Sequence, residues 1–390
     1  MQGNPQTIEA IQTALQRNNI DQLREIAFWP GGFQNNELRR RVWPVLMGLG
    51  RRQQPSYRTY LRGISDQEFT NQTDFYKHFE GLPNYDPQMN EIPKDANRTS
   101  QINKILLAKI ITAIFKKNTH LIYYQGYHDI VSVFMHVMLP PHNGENEYSE
   151  NDVQLCFEVL EQATLFYLRD FMFRSMDNVQ HLSKLLPVLI NVLDPQILNK
   201  LERNNLHELQ YGGFHFPNWY SHTDVEEHHN INIRDVYARR FDAFLSVRSP
   251  MFPLYFAAVY LVSKKDDILL INDVDVDQLV GLILTLQTNP LTYEDNLLLC
   301  TLQLFKEFPP RRLVTYDNDV MTDIRQTKIN NAPLQSQWVI NQPPIRISSH
   351  LISSILYLGK HHQQMSTATE VILLGVVAVI LGVISGTYAN

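Results

Sequence analysis

The chain has 390 residues, 44% of them apolar and 19% charged, which is enough to bury a large core and excludes an intrinsically disordered polymer. A net charge of −6 and a pI near 6.2 supply no basic face, so nucleic acid is not an expected partner. Two cysteines, Cys156 and Cys300, make neither a disulfide framework nor a thiol metal site and fit a reducing cytosolic compartment.

The first residues, MQGNPQTIEAIQTALQ, lack the basic start and apolar run of a signal peptide. Apolar residues then recur at helical spacing from Ile8 to Phe28, with a turn expected at Asn18-Asn19. Gly31-Gly32 break the pattern, and Glu37 to Met47 resume it. After Pro93 the set Ile102, Ile105, Leu106, Ile110, Ala113 and Ile114 marks one face of a long helix. Val131, Phe134, Met135 and Met138 mark the next, closed by Pro140-Pro141. Residues 143–152 read as a loop, and Val153 to Tyr167 as a helix. Further helices are expected over Val179–Leu193, Gln196–Leu206, Arg234–Leu245, Pro253–Val262, Gln278–Leu286 and Tyr293–Phe305. No segment sustains period-two alternation, so the fold class is all-α, and no fixed repeat suggests a solenoid.

Past Pro309-Pro310 the sequence is polar, proline-bearing and aperiodic over 311–346, as a linker is. An apolar stripe at 347–358 follows, which either lies on a membrane surface as an amphipathic helix or docks back onto the body. Val371 to Tyr388, VILLGVVAVILGVISGTY, carries no charge over 18 residues. As a helix it would span roughly 27 Å, about the thickness of a bilayer core. Two residues follow it, so a post-translationally inserted tail anchor is expected, with Lys360-His361-His362 on the cytosolic side. Gly382 and Gly386 form one helix-pairing step, which leaves the oligomeric state open.

Several chemistries find no support. NDVDVDQ (272–278) lacks the glycine and the final glutamate of a calcium loop, and Asp277 reads better as a helix cap. His215, His222, His228 and His229 cluster around Glu226-Glu227 without an HExxH, which fits an exposed loop better than a zinc site. There is no GxxxxGK[ST], so the chain should not hold a nucleotide by a P-loop, and there is no GxSxG.

Two short stretches stand apart. In EIPKDANRTSQ (91–101), Pro93 suits a helix start, Asp95 favours its positive end, and Arg98 lies one turn on. This is either an ordinary surface ion pair or a guanidinium held in a set direction. In YYQGYHDI (123–130), Gly126 keeps bulk away from Gln125, so a second surface could approach.

At these residues the chain resembles the TBC-domain family of Rab GTPase-activating proteins. IPKDANR (92–98) matches that family's IxxDxxR, and YYQG (123–126) carries its YxQ. GGFQNNELRRRVWPVLMG (31–48) resembles its opening signature through Leu38, Arg39, Trp43, Leu46 and Gly48, with Met47 where leucine is usual. NWYSH (218–222) resembles a Trp-aromatic-Ser element, and DAFL…SPMFPLY (242–255) a late helical segment. TDVEEHHNIN (223–232) looks like an insertion.

The resemblance runs over roughly residues 30 to 305 and implies a TBC domain there (30–305). Together with the readings above this gives an N-terminal helical segment (1–29) packed on it, a linker (306–365) and a tail anchor (366–390, transmembrane about 369–388). The resemblance also implies that Arg98 and Gln125 act as fingers in trans on a Rab GTPase. Asp95 would hold Arg98, while Tyr123 and Gly126 shape the loop of Gln125. GTP and Mg²⁺ would arrive with the Rab, so the chain would need no nucleotide, metal or other cofactor of its own. The alternative it leaves is a non-catalytic, membrane-tethered Rab-binding scaffold. A compact domain followed by a short linker and an apolar tail is similar to the family's endoplasmic-reticulum-anchored members, which implies a Rab of ER-to-Golgi transport and a chain on the ER membrane, extending to the Golgi.

Overall fold

The computed structural model describes residues 3–310 apart from 50–53, 72–74, 83–84, 100–101, 141–147, 174–176, 207–215, 223–226, 229–230, 273–274 and 285–290. The linker, the stripe at 347–358 and the expected anchor lie outside the described residues. Among the described residues, no helix is long and apolar enough to cross a membrane.

Asparagine caps divide the N-terminal helices. Asn4 Oδ1 accepts from the backbone of Gln6 and Thr7 and starts α1 (Pro5–Gln16). Asn18 then turns the chain at φ 50°, and Asn19 caps α2 (Ile20–Ile26), as the sequence predicts. α3 (Asn36–Leu46) begins at the cap Asn35 and buries Leu38, Trp43 and Leu46. Helix ends need such side-chain oxygens because their first amides have no partner within the helix.

Among the described residues of 57–91, three short 3-10 turns (57–61, 75–78 and 87–91) flank α4 (Asp66–Asn71). The long helix expected after Pro93 is two helices, α5 (Ile92–Arg98) and α6 (Lys104–Lys117). Thr99 ends α5 and the Asn103 side chain caps α6. Ile102, Ile105 and Leu106 are therefore only half-buried, and the core face of α6 is carried by Leu107, Ile110, Ile111 and Ile114.

α7 (Tyr127–Met138) is the central helix, buried along all of its length except His136. It packs against α3, α6, α8 (Glu150–Ala163) and α12 (Ile233–Val247). Ser149 caps α8, so residues 150–152 are helical and not the expected loop. A π-helical turn, Thr164–Leu168, then bends the chain into Arg169–Phe171.

The segment Val179–Leu193 is likewise split, into α9 (Asp177–Ser183) and α10 (Leu185–Leu193), and α11 (Pro195–Arg203) starts at the cap Asp194. Among the described residues one antiparallel hairpin departs from the all-helical expectation. It pairs β1 (Glu227–His228) with β2 (Ile231–Asn232), within the expected insertion. After α12 come α13 (Phe252–Ser263), α14 (Lys265–Leu270), α15 (Val276–Leu284) and α16 (Leu291–Glu307). The cap of α15 is Asp275, whose Oδ1 accepts from Gln278 N at 3.1 Å, and not Asp277.

Buried charges tie the N-terminal region to α12 and α16. Asp242 accepts from Arg39 Nε at 3.0 Å, Trp43 Nε1 at 2.9 Å and Phe33 N at 3.1 Å. Gly32, at φ 52°, permits this approach, because a Cβ there would lie 2.7 Å from Asp242 Oδ2. Burial pushes the Asp242 carboxyl above the usual range, with Arg39 and Arg239 pulling it back. Arg240 meets Glu294 at 2.6 Å with both side chains fully buried.

Candidate functional site

α5 places Asp95 and Arg98 one turn apart, but in opposite environments. Asp95 is wholly buried, whereas the Arg98 side chain is 62% exposed. Arg98 Nη2 donates to Asp95 Oδ1. Asp95 lies in the first turn of α5, as expected, but it does not cap the helix: both its oxygens turn to side chains, and α5 starts with no side-chain cap. Asp95 is instead a buried anchor for an exposed guanidinium, a different object from a surface pair worth ~0–1 kcal/mol.

The second Asp95 oxygen binds the other stretch. Tyr123 OH donates to Asp95 Oδ2 at 2.6 Å. Burial and the neighbouring Asp95 carboxylate hold the Tyr123 phenol well above its ordinary pKa, so it remains a donor. Flanking bonds fix the backbone on both sides: Ile122 N donates to Met172 O at 3.0 Å, and Tyr124 OH to Pro217 O at 2.6 Å. Gln125 is the one exposed residue between Leu121 and Val131. Gly126 follows at φ 104°, a conformation L side chains rarely adopt, and opens α7. A Cβ on Gly126 would sit 3.3 Å from Asn218 Cβ.

The structure thus brings Asp95, Arg98, Tyr123, Gln125 and Gly126 together. It adds four residues to which the sequence reading gave no part in this cluster. His128 Nδ1 lies 3.1 Å from Tyr123 OH and 3.6 Å from Asp95 Oδ2, and its Nε2 lies 3.4 Å from Asp129 Oδ1. Asp129 Oδ2 in turn meets His222 Nδ1 at 3.0 Å. Asn218 packs on Gly126 and accepts from Tyr220 N at 3.0 Å. A signal for His128 and Asp129 exists in the sequence, since they are adjacent polar residues opening a helix that is otherwise mostly apolar. Asn218 and His222 bound the NWYSH stretch already matched, but their meeting with Gly126 and Asp129 comes only through tertiary packing. Trp219 and Tyr220, both buried at φ 54° and 55°, form the sharp turn that delivers them.

Two lysines lie near Arg98. Lys94 is exposed beside Glu91, and Lys104 Nζ donates to Asn97 O at 2.6 Å near the end of α5. His222 is half-exposed, and His215 and His229 lie outside the described residues. Among the described residues, no group of three or more His, Cys, Asp or Glu is arranged to hold a metal.

A buried carboxylate steering an exposed arginine, beside a pinned turn that presents a glutamine, carries the two matched motifs on one helical platform. The Rab-GTPase-TBC domain model matches residues 36–269, and the chain belongs to that family. Human TBC1 domain family member 20 is 28% identical over 304 residues, covering 76% of this chain and 65% of that protein. The chain therefore spans just under two thirds of that relative's length. GTPase-activating protein GYP8 of Saccharomyces cerevisiae is 33% identical over 179 residues, 43% of this chain and 33% of the yeast protein. The fold is that of the crystallised Ypt/Rab-GAP domain of Gyp1p, with a TM-score of 0.55 at 18% identity over 75% of this chain and 95% of that one.

Proposed function

We propose that the chain accelerates GTP hydrolysis on a Rab GTPase, with Arg98 and Gln125 entering the partner's nucleotide site. One observation carries this reading. A single buried carboxylate, Asp95, holds the exposed Arg98 on one oxygen and, through Tyr123 on the other, the backbone that presents Gln125.

GTP hydrolysis on a small GTPase is slow because charge accumulates on the transferring phosphoryl oxygens and the attacking water is poorly oriented. An arginine supplied in trans can contribute roughly 10³–10⁵ in rate. Arg98 has the chemistry for this, since its charge is permanent, its donors form a planar fork, and Asp95 engages only one edge. The Gln125 carboxamide offers both a donor and an acceptor, as orienting a water requires. Asp95, Tyr123 and Gly126 hold these two groups in place. GTP and Mg²⁺ arrive with the Rab, and the chain supplies neither.

The same reading extends to the membrane. Residues 369–388 anchor the chain in the ER membrane with its body in the cytosol, and the substrate is a Rab of ER-to-Golgi transport. The uncharged run Val371–Tyr388, its basic flank and the resemblance to ER-anchored members support this. Confining catalyst and lipidated substrate to one membrane raises their effective concentration without new contacts.

The deciding assay is single-turnover phosphate release from a panel of GTP-loaded Rabs. Arg98→Ala and Arg98→Lys are expected to abolish acceleration, and Gln125→Ala to reduce it strongly. Lysine keeps the charge and loses the fork, so an active Arg98→Lys and Arg98→Ala pair would refute the assignment. Binding without turnover by the wild-type chain would mark a Rab-binding scaffold. For the anchor, a tagged chain lacking residues 366–390 is expected to leave the ER; unchanged localisation would refute it.

A further inference from the structure

Behind the two exposed groups sits a buried ring with no role in the reading above. His128, in the first turn of α7, is 9% exposed and touches both halves of the hub. Its Nδ1 is 3.1 Å from Tyr123 OH, while Tyr123 OH is 2.6 Å from Asp95 Oδ2. A phenol has one proton, and the short bond to the carboxylate takes it. With that proton committed, Nδ1 is placed to donate to the lone pair left on the phenol oxygen. The opposite nitrogen, Nε2, faces Asp129 Oδ1 at 3.4 Å, and Asp129 is itself paired with His222.

We propose that His128 is a positioning residue for Arg98 and Gln125 together, an inference that rests on those two carrying the reaction. Tyr123 is two residues before Gln125, and Asp95 is one turn before Arg98. Clamping the phenol at one point therefore restrains both reactive groups. Without the Nδ1–H donor, the bond from the phenol oxygen to Asp95 loses its second restraint, and the carboxylate that steers Arg98 is held less tightly. The cost falls on the geometry of the transition state and not on docking, because His128 lies beneath the surface that a partner meets.

The test uses the full chain in excess over a GTP-loaded Rab that the wild type accelerates, with single-turnover rates measured across chain concentration. His128→Leu is expected to lower the plateau rate about tenfold, about 1.4 kcal/mol, with an unchanged half-saturating concentration. His128→Asn, which places an amide N–H near the Nδ1 position, is expected to return the plateau to within about threefold of wild type. His128→Gln carries its donor one bond too far and is expected to stay low, so the contrast between Asn and Gln stands even if His128→Leu fails to fold. A packing role alone would reduce only the active fraction. The half-saturating concentration would then rise, the plateau would hold, and Asn and Gln would behave alike. That pattern overturns the proposal.

A readout without Rab separates the two claims. The NMR order parameter of the Arg98 Nε–H bond is expected to fall in His128→Gln relative to wild type and His128→Asn, and equal values in all three would overturn the positioning role. A wild-type chain that accelerates no Rab sinks the functional reading and leaves this last measurement to decide on His128.

Discussion

Replacing Tyr123 with phenylalanine removes one oxygen from the hub and leaves the ring and its packing in place. The ring sits edge-on to Phe115 and Tyr127, with centroids 5.9 and 6.4 Å away, and those contacts survive the change. What is lost is the 2.6 Å bond to a carboxylate that water does not reach. Hydrogen bonds to charged groups contribute roughly 1.5–3 kcal/mol, and a buried acceptor left unpaired carries its full desolvation cost. About 2 kcal/mol of destabilisation is expected, roughly a 30-fold shift in the folded-to-unfolded ratio. Urea unfolding followed by circular dichroism would measure it as a lower midpoint at constant slope. Hydrolysis should suffer independently, since Asp95 then steers Arg98 without its second tether. A Tyr123→Phe chain with the wild-type midpoint and the wild-type plateau rate would refute the view that Asp95 is held from both sides.

Three further outcomes follow from the same geometry. Arg240→Met leaves Glu294 buried without its 2.6 Å partner and should cost about 3–5 kcal/mol, whereas the double change to methionine should cost much less; equal losses in both chains, read from urea midpoints, would contradict the pairing. Gly126→Ala puts a side chain at φ 104° and 3.3 Å from Asn218 Cβ, so about 1–2 kcal/mol of stability should go, together with hydrolysis rate, because Gln125 is the adjacent residue. Glu68 is expected to titrate near 2, its carboxyl lowered from 4.5 by the Ser65 backbone amide, the Ser65 hydroxyl and His78. With the folded value below the unfolded one, its support for the start of α4 is present above about 4.5 and lost as pH falls towards 2; a carboxyl NMR midpoint at 4.5 would refute that cap.

The helices are legible wherever a cap or a glycine interrupts an apolar stripe. Asn18-Asn19 and Gly31-Gly32 divide the N-terminal elements where the pattern says they should. Periodicity misleads where one stripe continues across a break. Ile102 to Ile114 keeps helical spacing through Asn103, yet Asn103 begins a new helix, since its side chain satisfies Leu106 N at 3.0 Å. Asp275 and Asp277 present the same cap chemistry two residues apart, and only backbone geometry chooses between them. Residues 57–91 have no periodicity to read, because short 3-10 turns do not present a repeating face.

The site divides in the same physical way. Asp95 and Arg98 are one turn apart, and Tyr123, Gln125 and Gly126 are near neighbours in the chain, so motifs capture them. Their joining through Tyr123 OH, and the arrival of His128, depend on α5 lying against α7, which no local spacing encodes. Ion pairs elsewhere in the protein provide the contrast that gives this one meaning. Arg39 with Asp242 and Arg240 with Glu294 have both members buried, as pairs that join helices do. Asp95 is as buried as those carboxylates, but its arginine is 62% exposed. A buried ion pair returns little net stability once desolvation is counted. Burying one end and exposing the other returns less, because water screens the exposed charge. Asymmetry alone is not diagnostic, since Arg24 is buried against an exposed Asp21. Here it is the cation that reaches solvent while its carboxylate is fixed below, the arrangement that a guanidinium directed at another molecule needs.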